Sequence, residues 1–167
     1  MINISRAWKF DDNINTDLIT PGRYNLVSTR SELGKIAFIE YRPEFSAQVK
    51  KGDFIVAGRN FGCGSSRESA VYAIIESGIQ AVIAKSYARI FYRNAINNGL
   101  LLIIGTSTFI DSTKDGDELI LDGKKLRNLT RHTELEITIP PLMEKIRKYG
   151  GIIEFLKKNK IDDLERD

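Results

Sequence analysis

The chain has 167 residues, 42% of them apolar and 28% charged, enough for a packed core and too apolar for a disordered tail. Its 25 basic and 22 acidic residues leave a net charge of only +3, which excludes the strongly basic surface of a nucleic-acid binder. A single cysteine, Cys63, excludes an internal disulfide and any iron–sulfur cluster held by cysteines of this chain alone.

Residues 2–10 alternate loosely and predict a first strand. No apolar signal segment stands there and no later run is long enough to cross a bilayer, so a cytoplasmic location is expected. Residues 11–22 are polar, and Thr20-Pro21-Gly22 signals a turn, so a loop is expected. A short helix is expected within residues 31–41. Lys51-Gly52-Asp53 is a turn ahead of Phe54-Ile55-Val56-Ala57, a short apolar strand. Residues 58–64 form a glycine-containing loop. A helix follows, with Val71, Ile74 and Ile75 at helical spacing and Gly78 suited to its stop. Ala81-Val82-Ile83-Ala84 is the next strand. Ser86 suits the cap of a second helix whose apolar face is Ala88, Phe91, Tyr92, Ala95 and Ile96, ended by Gly99. Residues 100–104 are again apolar.

Strand, helix, strand, helix, strand over residues 54–104 predicts parallel βαβ units. Residues 117–139 change to short β segments, with Asp122-Gly123 as a hairpin signal. Residues 142–149 and 152–158 predict closing helices split by Gly150-Gly151, and the lysines at 157, 158 and 160, set among acids, read as a solvated helix end. The expected fold is α/β: one domain over residues 1–167, parallel βαβ units with a β-rich margin.

The chemistry is concentrated in Gly58-Arg59-Asn60-Phe61-Gly62-Cys63-Gly64-Ser65-Ser66-Arg67-Glu68-Ser69, which joins a buried strand to a helix. Gly62 and Gly64 let the backbone turn sharply and approach a ligand. The amides that open the helix, with the positive end of its dipole behind them, favour an anion such as a carboxylate. Arg67 adds a planar fork suited to the same group. A phosphate-binding P-loop would need Gly-Lys-Ser/Thr where Ser65-Ser66-Arg67 stands, and a dinucleotide fingerprint would need a third glycine where Arg67 stands. Ser65 and Glu68 also have the spacing of a capping box. From local pattern alone, Ser65 is either a helix cap or a ligand-facing hydroxyl, and the loop either part of an enzyme or a non-catalytic anion-binding module.

Gly62-Cys63-Gly64-Ser65-Ser66-Arg67-Glu68 resembles the Gly-x-Gly-Ser-Ser-Arg-Glu signature of the swivelling domain of the aconitase superfamily. A second block, Ala84-Lys85-Ser86-Tyr87-Ala88-Arg89-Ile90-Phe91-Tyr92-Arg93-Asn94, is similar to that family's Ser-Phe-Ala-Arg-Ile-Phe-Tyr-Arg-Asn segment. Asn15-Thr16-Asp17, followed by Pro21-Gly22-Arg23-Tyr24, makes a third, and Gly150-Gly151 a fourth. The likeness runs from about residue 9 to about residue 158, and the length matches the stand-alone small subunits of isopropylmalate dehydratases and homoaconitases.

The resemblance implies the swivelling β/β/α fold and a subunit of a hydro-lyase that dehydrates a small 2-hydroxy acid and rehydrates the alkene. It implies a large-subunit partner, as heterodimer or heterotetramer. That partner carries a 4Fe–4S cluster that acts as Lewis acid for the leaving hydroxyl; no metal is implied on this chain. It makes Ser65 the base for the carbon-bound proton, Arg67 the ligand of a substrate carboxylate, Ser66 a supporting donor, and Gly62 and Gly64 the frame of the loop. It places Tyr24, Leu26 and Val27 on the specificity loop. Homoaconitase-type subunits have a Tyr-Leu-Arg-Thr-like run there. Here Tyr24-Asn25-Leu26-Val27-Ser28 lacks that arginine, which favours the apolar group of isopropylmalate; homoaconitate, citramalate and dimethylmalate remain alternatives. Arg89 and Arg93 are expected in structural ion pairs, Cys63 as a small packed thiol and His132 as exposed. Asp17 either faces the partner or caps a turn.

Overall fold

The computed structural model describes residues 4–24, 26 and 29–165. The expected βαβ run is present: β2 (Phe54–Ala57), α4 (Glu68–Glu76), β3 (Ala81–Ala84), α5 (Arg89–Asn97) and β4 (Leu101–Ile104) follow in order. Apolar runs of four residues can be this short because both faces are covered, and β2 and β3 are buried at every position. Before them come β1 (Ser5–Lys9), α1 (Thr16–Ile19), a 3-10 turn at Gly22–Tyr24, α2 (Arg30–Lys35) and α3 (Pro43–Gln48). After them come α6 (Ser107–Ser112), β5 (Glu118–Asp122), β6 (Lys125–Asn128), β7 (Thr133–Glu136), α7 (Pro141–Lys148) and α8 (Ile152–Leu156).

The seven strands form one sheet in the order β4-β3-β2-β1-β5-β6-β7. β1 joins its halves, pairing parallel with β2 (Ala7 opposite Phe54) and antiparallel with β5 (Ser5 opposite Leu119). The β-rich margin is thus an antiparallel extension of the parallel half, and Asp122 pairs with Lys125 across the expected hairpin, where Gly123 has φ +58°. Two apolar layers follow from the alternation of side chains. Trp8, Ile55, Val82 and Leu102 face one layer with Phe38, Phe45, Ile74 and Phe91, under α2–α5. Ala7, Phe54, Ile83 and Ile103 face the other with Phe109, Leu126 and Met143.

Four elements differ from expectation for physical reasons. The polar stretch before Gly22 holds α1, a single turn capped by Asn15, whose Oδ1 accepts from the Leu18 amide at 2.8 Å. Helices α3 and α6, six residues each, are too short to show a helical period and are held by packing. Ser86 does not cap α5: Ala88 is its N-cap, and the Ser86 hydroxyl accepts from the Asn60 amide at 2.8 Å.

The buried carboxylate of Asp117 links the antiparallel half. It accepts from Asn128 Nδ2 at 2.9 Å and the Lys114 amide at 2.9 Å, and pairs with Arg131 Nε at 3.1 Å. Burial alone would push this carboxyl up; the Asn128, Lys114 and Arg131 donors outweigh it and hold it below the usual range. A depressed folded pKa stabilises the fold above the unfolded value of about 3.9 and loses that contribution as pH falls through the folded value. Urea titrations should therefore show a midpoint that drops steeply below about pH 4, with Asp117→Asn flattening that slope. An unchanged slope in the variant would place the acid sensitivity elsewhere.

Candidate active site

The residues that resemble the family signature lie in the loop after β2, at the carboxyl end of the parallel strands, where open α/β sheets place ligands. Its shape is set from both sides. On one side the segment before α1 runs along it: the Gly62 amide donates to Ile14 O at 2.7 Å and the Thr16 amide to Cys63 O at 2.8 Å. On the other the start of the second block does the same, with the Phe61 amide to Ser86 O at 3.0 Å and the Ala88 amide to Phe61 O at 2.9 Å. Gly62 has φ +78°, and a Cβ there would overlap the Phe91 ring of α5; Gly64 has φ +97°. The first is required by both backbone and space, the second by backbone. The fourth block braces α5 from behind, since a Cβ on Gly151 would sit 2.9 Å from Asn97 O.

Ser65 and Ser66 are exposed at the tip of this loop and Arg67 is half-buried. Ser65 is not the helix cap. Helix α4 begins at Glu68 with Arg67 as N-cap and no capping side chain, and Glu68 accepts from Asn98 Nδ2 at 3.1 Å. The Ser65 hydroxyl instead lies 2.9 Å from Thr16 Oγ1. Ser66 O accepts from Asn94 Nδ2 at 3.4 Å. Arg67 Nη2 donates to Asp17 Oδ1 at 2.5 Å, while Arg67 Nη1 is buried with no hydrogen-bond partner among the described residues. Asp17 therefore does not cap the turn, which Asn15 does: it holds one arm of the guanidinium and leaves the other unmet among the described residues.

Tyr24 is half-buried under the Arg23 guanidinium, 5.1 Å from its ring centre, and Arg23 pairs with Glu40. Leu26 is 94% exposed. No hydrogen bond or ion pair joins Tyr24 or Leu26 to Ser65, Ser66 or Arg67, and Val27 lies outside the described residues. Arg89 and Arg93 are exposed and, among the described residues, have no ion-pair partner, so the expected pairs do not form. The first turn of α5 contains no acid, and the one nearby ion pair, at 2.6 Å, joins Lys85 to Asp111. His132 is exposed and Cys63 partly buried. Thr16 is the residue that sequence reading left without a role; its presence in the Asn15-Thr16-Asp17 block was the available signal.

The sequence model of the aconitase C-terminal domain matches residues 13–106, a stretch that contains this loop and both segments that shape it. The chain belongs to the aconitase C-terminal domain family. It is 51% identical over 157 residues to 3-isopropylmalate dehydratase small subunit 1 of Archaeoglobus fulgidus, covering 92% of this chain and 96% of that one. It is 47% identical over 156 residues to the methanogen homoaconitase small subunit of Methanothermobacter thermautotrophicus, covering 92% and 89%. The crystal structure of 3-isopropylmalate dehydratase (LeuD) from Methanocaldococcus jannaschii superposes with a TM-score of 0.87 at 44% identity, over the whole of both chains. The mixed sheet described above is thus the fold of the aconitase-type small subunit, as the motifs led us to expect, and these relatives carry the names of hydro-lyase subunits.

Proposed function

We propose that this chain is the small subunit of a 3-isopropylmalate dehydratase, which interconverts 2-isopropylmalate and 3-isopropylmalate by dehydration and rehydration in leucine biosynthesis. It works in the cytoplasm as one domain over residues 1–167, and only with a large subunit, as heterodimer or heterotetramer. One observation carries this reading: an exposed Ser65 and a half-buried Arg67 stand together on a glycine-shaped loop, in a chain that matches dehydratase small subunits over nine-tenths of its length. The described residues hold no group of three or more His, Cys, Asp or Glu that could bind a metal ion, and Cys63 is the single cysteine. That donor set does not fit a 4Fe–4S cluster, which supports the reading that the cluster belongs to the large subunit.

In this reading Ser65 takes the carbon-bound proton in the dehydration and returns it to carbon in the rehydration, ending as it began. Arg67 grips a substrate carboxylate through its unmet arm, with Ser66 as a second donor. Gly62 and Gly64 hold the loop in its shape. Tyr24, Leu26 and Val27 close over the substrate's variable group; Leu26, exposed in the free chain, gains about 0.8 kcal/mol for each methylene it covers. The relative named as a homoaconitase subunit supplies the second reading. Against it stands the absence of an arginine two residues after Tyr24.

The purified chain alone is expected to be colourless and inactive on every 2-hydroxy acid. Anaerobic mixing with its large subunit should produce turnover, with a higher kcat/KM for 2-isopropylmalate than for homocitrate. A stoichiometric cluster on the isolated chain would overturn the divided site. A preference for the tricarboxylic acid would move the assignment to homoaconitase.

A further inference from the structure

Among the described residues, the side-chain hydrogen-bond partner of the Ser65 hydroxyl is Thr16, which is buried to 2% exposure. The contact is reciprocal. The Ser65 amide donates to Thr16 Oγ1 at 3.2 Å, and the two hydroxyl oxygens lie 2.9 Å apart, with Ser65 O at 3.3 Å from the same Thr16 oxygen. A threonine hydroxyl has one proton and two lone pairs. With one lone pair taken by the Ser65 amide, its proton is available to Ser65 Oγ, the nearer of its two acceptors. Thr16 is fixed in this position by its own amide, which donates to Cys63 O, and by α1, whose first residue it is.

We infer that Thr16 is a positioning residue that makes Ser65 a usable base: it donates its hydroxyl proton to the Ser65 oxygen and favours the ionised form. This rests on the proposed function. Ser65 first gives up its own hydroxyl proton to solvent, and the step then balances between Ser65 and the substrate. The Ser65 alkoxide takes a proton from substrate carbon as the O–H bond forms, the C–H electron pair becomes the C=C bond as the hydroxyl leaves the neighbouring carbon, and the hydrogen bond from Thr16 weakens because its acceptor is now neutral. In the rehydration the hydroxyl adds to one alkene carbon, the Ser65 proton returns to the other, and Thr16 again faces an alkoxide. The Thr16 proton is never transferred. A hydrogen bond to a charged oxygen is about twice as strong as one to a neutral oxygen, so Thr16 acts on the ionisation of Ser65 more than on its placement. The Ser65 amide, by donating to Thr16, polarises that hydroxyl further in the same direction.

The test is steady-state kinetics of the reconstituted complex with Thr16→Val and Thr16→Ser. Valine keeps the shape and removes the donor. Its kcat at neutral pH should fall about 10- to 100-fold with little change in KM, since a bond to a charged group is lost from the transition state. The acid limb of its pH profile should move alkaline by about one to two pH units, recovering activity as pH rises. Thr16→Ser should stay within about threefold of wild type, with an unmoved profile. The inference is overturned if Thr16→Val keeps its kcat and pH profile, or if Thr16→Ser loses as much as Thr16→Val. It is also overturned if the valine variant fails to fold by circular dichroism while the serine variant, folded, shows the same loss. A wild-type complex inactive on all 2-hydroxy acids removes the proposed function and this inference with it. An active wild type with an indifferent Thr16 removes this inference alone.

Discussion

Replacing Ser65 with alanine should cost the reconstituted enzyme about 10²- to 10⁴-fold in kcat, the usual worth of a positioned acid–base group, while leaving the small subunit folded. The structure makes the second half of that expectation sharper than the sequence could. A capping serine would carry about 0.5–2 kcal/mol of helix stability. Ser65 caps nothing: α4 starts three residues later, and the contact it loses is one hydroxyl pair at 2.9 Å. That is worth about 1 kcal/mol, or roughly 2–4 °C in Tm for a chain of this size. KM should move little, because the proposed holder of the substrate's carboxylate is Arg67. Calorimetry on the isolated subunit and turnover in the complex separate the two effects. A variant that melts several degrees lower yet turns over normally would return Ser65 to a structural role.

Arg67→Lys is expected to raise KM about 10- to 100-fold with a smaller fall in kcat. The reason lies in how the two arms of Arg67 are used. Nη2 is spent on Asp17 at 2.5 Å, and Nη1 is buried without a hydrogen-bond partner among the described residues. A buried donor left unmet is unfavourable, and a carboxylate is the group that relieves it. A lysine offers one compact charge in place of the fork. With Asp17 in reach, that charge is drawn toward Asp17 inside the subunit, and the substrate keeps a weaker and less directed partner. The double variant Arg67→Lys with Asp17→Asn should recover part of the lost affinity, since it frees the ammonium. Unchanged KM in the single variant would remove the carboxylate clamp. Full recovery of kcat/KM in the double variant would show that the planar fork itself is dispensable.

How much of this was legible in the sequence follows from the range over which each signal acts. β2 and β3 were read to the residue, because fully buried parallel strands are continuous apolar runs between turn residues, a signal carried within a few positions. Helices α4 and α5 were read from their apolar spacing, and their ends from Gly78 and Gly99, which have φ +89° and +79°. The loop glycines were legible for the same local reason. The start of α4 was not. Ser65 and Glu68 satisfy the capping-box spacing, yet the loop is drawn to Ile14 and Thr16 and the helix opens later. Likewise Ser86 had the right chemistry for a cap but is used by the Asn60 amide, 26 residues away.

The sequence by itself determined the class of fold, and it singled out the loop and the residue types proposed to perform the chemistry. Each of these depends on backbone sterics, hydrophobic period or the donor set of a side chain, all properties of a few consecutive residues. Tertiary structure alone decided which side chains meet. Thr16 reaches Ser65 across 49 positions and Asp17 reaches Arg67 across 50, while Arg89 and Arg93, four apart on one helix, find no acid among the described residues. A hydrogen bond of 2.9 Å or an ion pair of 2.5 Å depends on how β1, β2 and β3 are ordered in the sheet and how the loops beyond them fold back. That order is fixed by the burial of two apolar layers, which no local pattern records.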